Sequence, residues 1–345
     1  MYQIPPCRYR GLFILSLCFC CQAFAMQARA QWKRFSFTES KMGSPLSLII
    51  YETSAGKAQA TANRSYMLVD SLVEIYSDYI EKSELNLLSR SSGSGQWIKV
   101  SPAMLDILLH SRKAYRLSNG AFDITTGPLV RRWRIARREK TLPEARELEA
   151  LRATTGFNHI RICKHKSTVK LKKPGMQLDL GGIAQGYIAG KILELIRNSG
   201  AHAALVDVSG DIVAFGHPPE KSGWTIGINI PEQEEILPRQ ILLKNAAVST
   251  SGDVYQYLEV DGKRYSHIVD PKTGYGLTNQ RNVTVIARDP VTADWMSTAC
   301  SILPFKNVKR LAKRTRSEYL IGYLHDDQLR WVQSEGFKQQ MELKE

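Results

Sequence analysis

The order of extended and helical segments most constrains what this chain can fold into. Helical spacing of apolar residues predicts helices over residues 56–80, 101–120, 185–198 and 291–303. Short apolar runs predict strands at residues 46–51, 203–208, 224–230, 265–269 and 283–287. Because the two kinds of segment are interspersed without regular β-α alternation, we predict an α+β fold in which a mixed sheet is packed with helices.

The first 30 residues have the layout of a signal peptide. Two arginines precede an apolar run at residues 11–21 that is too short to span a bilayer well. Cleavage after Ala30, at the second of two Ala-x-Ala sites, would leave Gln31 as the first mature residue. We therefore expect an exported, periplasmic protein in which residues 31–345 form one domain. A retained anchor or a lipidated cysteine, either of which would attach the protein to the inner membrane, stays open.

The chain has a formal net charge of +14. This excess fits either an anionic partner, such as a membrane surface or a phosphorylated cofactor, or a generally basic surface. The densest basic run, residues 131–140, is typical of a solvated helix face. No zinc-finger spacing, basic leucine zipper or RNP-like strand is present, so we predict no nucleic-acid partner. Beyond residue 21, Cys163 and Cys300 allow one bridge but no disulfide framework.

Two segments have the residue types needed to bind a phosphate and a metal ion. Residues 178–187 read as a buried strand, a glycine-rich turn and a helix, which would offer backbone N–H groups to a phosphate and a carbonyl to a cation. Asp294 and Thr298 share one helix face and supply hard oxygen ligands of the kind that Mg²⁺ prefers. A structural turn, a capping Asp and a packed Thr are the alternative interpretations.

Two further segments carry polar residues whose role is less specific. Ser266, His267 and Asp270 invite comparison with a catalytic triad. We reject that interpretation because no Gly-x-Ser-x-Gly elbow is present and adjacent residues of a strand point to opposite faces. Residues 120–129 read as a polar turn.

Taken together in chain order, eight segments resemble the motifs of the ApbE family of flavin transferases. They are residues 42–44, 83–86, 120–129, 178–187, 209–211, 250–253, 266–274 and 293–299. The resemblance implies an ApbE-like fold, FAD as the substrate and Mg²⁺ on its pyrophosphate. It also implies transfer of FMN to a Thr or Ser of an exported acceptor protein, with release of AMP. The acceptor would be a subunit of a flavin-dependent electron-transport complex.

The same resemblance implies the site residues. Mg²⁺ would be held by the backbone carbonyl of Gly182 together with Asp294 and Thr298. His267 is the predicted general base, because its unperturbed pKa lies near neutral pH. Gln185 stands where many family members carry Lys, and Gly190 where many carry Asp. FAD would be contacted by Met42, Tyr79, Ala121, Phe122, Asp123, Asp179, Gln185 and Ile268.

Three alternative functions stay open at this point. An FAD pyrophosphatase would use the same site with water as the acceptor, and sequence does not separate it from a transferase. A non-catalytic periplasmic flavin-binding protein is opposed by the presence of Asp294, Thr298 and His267. A binder of anionic surfaces would use the basic run at residues 131–140.

Overall fold

The computed structural model describes residues 1–3, 31–231, 236–252, 256–326 and 328–342. All but the first three residues of the expected signal peptide, and Asp253 of the segment at residues 250–253, lie outside these ranges. No helix within them is both long and apolar enough to cross a bilayer.

The described α-helices are between 7 and 22 residues long. They are α1 (Ala55–Tyr76), α2 (Glu84–Arg90), α3 (Pro102–Leu117), α4 (Gly127–Glu139), α5 (Ala145–Arg152), α6 (Ala184–Asn198), α7 (Pro290–Ile302), α8 (Phe305–Thr315) and α9 (Glu335–Glu342). Helix α3 begins as predicted, since the Ser101 hydroxyl accepts a hydrogen bond from the Met104 N–H at 3.1 Å. Helix α1 ends earlier than predicted, and Tyr79 therefore lies in the turn that follows it.

The described strands form one large sheet and three small ones. They are β1 (Lys33–Lys41), β2 (Ser44–Glu52), β3 (Ile98–Lys99), β4 (Ile160–Cys163), β5 (Thr168–Leu171), β6 (Ala203–Val208), β7 (Asp211–Phe215), β8 (Trp224–Pro231), β9 (Ile236–Leu243), β10 (Ala246–Gly252), β11 (Tyr257–Val260), β12 (Lys263–Ser266), β13 (Asn282–Ala287), β14 (Glu318–His325) and β15 (Gln328–Gln333).

The large sheet has the strand order β1-β2-β6-β7-β10-β13-β14-β15. Neighbouring strands in it are antiparallel at each described pair. The sequence had predicted a mixed sheet without assigning the direction of any strand. The α+β class, with a sheet packed with helices, is thereby confirmed. The small sheets have the orders β3-β5-β4, β8-β9 and β11-β12.

Alternating side chains of the central strands build two separate cores. In β6, Val206 and Val208 pack into the larger core with α1, α6 and α7. Leu205, which points to the opposite face, packs into a second core with Trp224 of β8 and Phe337 of α9. Successive side chains of a strand point to opposite faces, so β6 contributes to one core on each face of the sheet. The sheet is thus buried between layers, and its helix-covered face carries the candidate site.

One predicted strand is shorter than expected. The run at residues 265–269 is a strand only as far as Ser266, where β12 ends. The Ser266 hydroxyl accepts a hydrogen bond from the Ile268 N–H at 3.1 Å, which turns the chain. Val269 then makes an isolated bridge with Gly276. His267 consequently lies in a turn rather than on a strand.

Candidate active site

The glycine-rich segment is extended and buried, but it is not the strand that the sequence predicted. Leu178 and Leu180 are buried, which explains the strand-like alternation. The backbone N–H of Leu178 donates to the Ser89 hydroxyl at 3.1 Å, and that of Asp179 donates to the Ile124 carbonyl at 2.8 Å. The chain then turns through Gly181 and Gly182 into α6, whose N-cap residue Ile183 makes no side-chain hydrogen bond to the first turn. An N–H group that is left free at a helix start suits a phosphate.

The three predicted metal ligands come together at this helix start. A Cβ on Gly182 would lie 2.9 Å from the Thr298 hydroxyl oxygen, so the two residues are in contact. Asp294 lies one turn before Thr298 on α7, and its Oδ2 accepts a hydrogen bond from the Gly186 N–H at 2.8 Å. We call Gly182, Asp294 and Thr298 the metal corner.

Glycine at position 186 allows the two helices to approach this closely. A Cβ there would lie 2.4 Å from the Pro290 carbonyl oxygen and 2.7 Å from the Asp294 Cβ. Real side chains do not tolerate such distances to backbone atoms, so any larger residue would push α6 away from α7. The position of Asp294 against the start of α6 therefore depends on Gly186.

A second buried carboxyl group lies near the metal corner. Asp211, at the start of β7, is 8% exposed and Asp294 is 4% exposed. Burial raises the pKa of Asp294 well above its ordinary value, and the charge of Asp211 raises it further. Burial likewise raises the pKa of Asp211 to about 7, against the lowering effect of a hydrogen bond with Ser249. Two neighbouring acids of this kind favour a bound cation.

Hydroxyl groups complete the surroundings of the metal corner. The Ser251 hydroxyl lies 3.3 Å from that of Thr298 and 2.6 Å from that of Ser297. Within the described ranges, no cluster of three or more His, Cys, Asp or Glu side chains could hold a metal ion. The corner instead offers carboxylate, hydroxyl and backbone carbonyl oxygens, which is the donor set that suits a hard cation.

A cavity of about 660 Å³ opens beside the glycine-rich segment. Its lining includes Tyr79 and Asp179, two of the residues that the resemblance assigns to FAD. Tyr79 is 79% exposed, so its ring is available to a ligand. The Asp179 side chain is 12% exposed, and its Oδ1 accepts a hydrogen bond from the Gly181 N–H at 2.8 Å. The cavity and the turn into α6 are therefore joined through Asp179.

Arg134 crosses the wall of this cavity, which corrects the interpretation of residues 131–140 as a solvated face. Its guanidinium pairs with Asp78 and lies 3.1 Å from Asp179 Oδ2. The same guanidinium lies 4.7 Å from the centre of the Tyr79 ring. Burial and the Asp78 charge raise the pKa of Asp179, whereas Arg134 lowers it. Arg134 thus connects both predicted flavin contacts of the cavity.

His267 is half-buried in the turn after β12. Its Nδ1 lies 3.2 Å from the Gln256 carbonyl oxygen, which fits a tautomer with the proton on Nδ1 and leaves Nε2 as an acceptor. Burial lowers the pKa of His267, and the charges of Arg137 and Arg134 lower it further. The imidazole is therefore within the field of the cations beside the cavity, and it is neutral at neutral pH.

Comparison with known proteins decides the family. The sequence profile of the ApbE family matches residues 42–321. The chain belongs to the ApbE family.

Relatives of this chain are described as flavin transferases. The chain is 30% identical over 267 residues to an FAD:protein FMN transferase of Klebsiella pneumoniae, which covers 76% of this chain and 81% of the relative. It is 31% identical over 247 residues to the FAD:protein FMN transferase of Escherichia coli K12, covering 70% of each. The flavin transferase ApbE of Vibrio cholerae has a TM-score of 0.81 at 26% identity, covering 90% of this chain and 99% of that one.

The remaining residues that the resemblance assigns to FAD differ in how far they are exposed. Met42 lies in the turn between β1 and β2 with a left-handed φ of 54° and is 36% exposed. Gln185 is half-buried in the first turn of α6, near the metal corner. Ala121, Phe122 and Ile268 are buried.

Phe122 and Asp123 have contacts within the fold itself. A Cβ on Gly182 would lie 3.2 Å from the Phe122 ring, which places Phe122 directly behind the metal corner. The Asp123 carboxylate accepts hydrogen bonds from the N–H and hydroxyl of Thr125, at 2.9 and 2.7 Å, and from the Phe157 N–H at 3.2 Å. These bonds order the segment that leads into α4, so Asp123 acts on the site by shaping this segment.

Sequence reasoning missed two residues of the candidate site. Asp211 belongs to a segment that carried the family resemblance, but no role was assigned to it. Arg134 lay in a run interpreted as solvated, although its neighbour Trp133 is an apolar residue that a fully solvated face would not carry. In the structure Trp133 is 1% exposed, which fixes the orientation of α4.

Proposed function

We propose that this ApbE protein transfers the FMN moiety of FAD to a Thr or Ser hydroxyl of an exported acceptor protein and releases AMP in a Mg²⁺-dependent reaction. The observation that carries the proposal is the convergence of Gly182, Asp294 and Thr298 at the start of α6. The names of the relatives support the same reaction. The acceptor is proposed to be a subunit of an electron-transport complex outside the cytoplasm.

The residues present fit a divalent cation. Asp294 and Asp211 are buried near each other, and within the described part of the chain no cationic side chain pairs with either. Mg²⁺ would be held by the Gly182 carbonyl, Asp294 and Thr298, and it would neutralise charge on the pyrophosphate of FAD. Asp211 would add negative charge behind these ligands.

The chain's own residues would bind and orient the two substrates. Tyr79 and Asp179 would hold FAD in the cavity, and N–H groups at the start of α6 would bind its phosphates. The acceptor hydroxyl oxygen would then form a bond to the phosphorus on the FMN side. The bond from that phosphorus to the bridging oxygen would break, and AMP would leave with the electron pair. Nε2 of His267 would accept the hydroxyl proton.

The test uses residues 31–345, FAD, Mg²⁺ and a candidate exported acceptor. Release of AMP together with an added FMN mass on the acceptor, both abolished by EDTA, is the expected result. AMP with free FMN and no adduct would favour an FAD pyrophosphatase. Flavin binding without any AMP would contradict the catalytic proposal and leave a flavin-binding protein. Export itself is tested by fractionating cells that express the full chain.

A further inference from the structure

Helix α8 carries a face that consists of cations. Its apolar residues Val308, Leu311 and Ala312 are buried against the rest of the protein. With about 100° of rotation per residue, the exposed cations fall within an arc of about 160° on the opposite side. We call this set of exposed side chains the basic face: Lys306, Lys309, Arg310, Lys313, Arg314 and, one residue past the end of the helix, Arg316.

Within the described ranges, no acidic side chain neutralises the basic face. Residues 304–317 contain no Asp or Glu. In the described part of the chain, no ion pair joins any of these six cations to an acid. Helix α4 is different, because Arg132 pairs with Glu147 at 2.7 Å and Arg134 pairs with Asp78 and Asp179. The basic run of α4 therefore serves the fold and the site, whereas the cations of α8 face solvent.

The spacing of these cations along α8 lowers the stability of the helix. Lys306 and Arg310, Lys309 and Lys313, and Arg310 and Arg314 are like charges four residues apart, and such pairs destabilise a helix. An anionic surface would remove that repulsion. A helix that only needed a polar exterior would gain stability from interspersed acids, which this one lacks.

The chemistry of the basic face favours a lipid surface over a protein. It exposes no large apolar or aromatic side chain, and these are the residues that anchor protein interfaces. The half-buried Phe305 at the helix start is packed against Arg281 and Tyr323 within the protein. Nucleic acid would gain no stacking ring. Diffuse positive charge on a convex rod suits a plane of anionic headgroups.

We propose that the basic face of α8 holds this protein against an anionic phospholipid surface. The contact is peripheral and electrostatic, because the apolar side of α8 is committed to the core and does not enter the bilayer. The proposal goes beyond the flavin-transfer reaction and does not depend on it. It assigns to α8 the membrane-surface role that the sequence alone would have given to residues 131–140.

The experiment measures co-sedimentation of residues 31–345, which contain the described helices and strands, with two kinds of vesicle. One is pure phosphatidylcholine, and the other is an equal mixture of phosphatidylcholine and phosphatidylglycerol. We expect binding to the anionic vesicles only, and a strong decrease when the salt concentration is raised. Equal binding to both vesicles, or binding that salt does not weaken, would overturn the proposal.

Two charge-matched variants identify the surface. The variant K306Q/K309Q/R310Q/K313Q should lower the affinity for anionic vesicles at least ~10-fold. The control R161Q/K164Q/K166Q/K172Q removes as many exposed cations from strand β4 and the segments that flank strand β5, and should bind within about twofold of wild type. An equal loss in both variants would show a general charge effect and refute the assignment to α8.

The partial variants K306Q/R310Q and K309Q/K313Q guard against a folding artefact. Each should lose part of the affinity without any fall in melting temperature, since these side chains are exposed and each variant removes a like-charge pair. Unchanged affinity in both would contradict the proposal. Binding of polyglutamate with no binding of anionic vesicles would replace the lipid by an acidic polypeptide.

Discussion

Replacing Arg134 by Ala tests whether the flavin cavity is held open by an ion network. The change leaves Asp179, whose side chain is 12% exposed, without its cation, and it unpairs Asp78. Breaking a fully buried pair costs about 3–5 kcal/mol. Because Arg134 is 29% exposed and water can partly replace it, we expect about 2 kcal/mol. For a chain of this size that is a fall in melting temperature of about 4 °C.

The same variant should weaken FAD binding. Arg134 orients Asp179 by an ion pair and Tyr79 by a cation-π contact at 4.7 Å. Losing both orientations should raise the KM for FAD about 10-fold, equivalent to about 1.4 kcal/mol. R134K should be intermediate, because a single ammonium does not reproduce the planar fork that reaches two carboxylates. The assay is AMP release at varied FAD concentration, together with a thermal melt.

Two comparisons separate binding from stability. R134A/D179N removes the more buried of the two unpaired carboxylates and leaves Asp78, so it should recover part of the melting temperature while KM stays high. R138A is the matched control, since the Arg138 side chain is on the same helix and 76% exposed. Wild-type KM and melting temperature in R134A, or equal losses in R138A, would refute the role assigned to Arg134.

The remaining changes address the metal corner and the base. D294N keeps an acceptor for the Gly186 N–H but removes the charge, so Mg²⁺-stimulated AMP release should fall at least ~10³-fold without loss of thermal stability; a normal Mg²⁺ titration would contradict this. H267A should lose about 10²–10⁴-fold in transfer rate while FAD binding, followed by flavin fluorescence, is unchanged. Because burial and Arg137 lower the pKa of His267, the acidic limb of the kcat/KM profile should lie below pH 6.5, and R137A should move it upward; a limb that stays in place would exclude His267 as the titrating base. G186A should destabilise the protein by at least about 1–3 kcal/mol in urea unfolding, since its Cβ would overlap the Pro290 carbonyl; wild-type stability would show that α6 can move aside.

The regular elements were predictable because local sequence dictates them. Strand β6 spans Ala203–Val208 as predicted, since each of its apolar side chains enters one of two cores. Helix α7 begins at Pro290 after the capping Asp289, a pattern that is readable from the sequence. The segment at residues 178–180 was mistaken for a strand because burial of Leu178 and Leu180 gives a strand-like alternation. The backbone N–H groups of Leu178 and Asp179 instead bond to a side chain and to a short helical turn.

The long-range electrostatics of the site could not be predicted in the same way. Arg134 pairs with Asp78 and Asp179, which are 56 and 45 residues away. No local pattern distinguishes such an arginine from its solvated neighbours in a basic run. The metal corner was found only because the family resemblance joined Gly182 to Asp294 and Thr298. Asp211 lies on strand β7 and Asp294 on helix α7, so their proximity depends on how that helix packs against the sheet.

The charges around the metal corner imply that Mg²⁺ and FAD bind cooperatively. Asp294 and Asp211 place two carboxyl groups where the anionic pyrophosphate of FAD would approach. Without a cation, an ionised carboxylate there repels the pyrophosphate and is itself unfavourable in a buried site where screening is weak, which is why the pKa values of both acids are raised. A bound cation reverses the interaction, so each ligand should raise the affinity for the other by the same factor, typically about 5–150-fold. Titrating FAD fluorescence with and without Mg²⁺ measures this factor, and D211N should reduce it by relieving the repulsion in the metal-free state. An FAD affinity that is independent of Mg²⁺ would show that the pyrophosphate does not reach the corner.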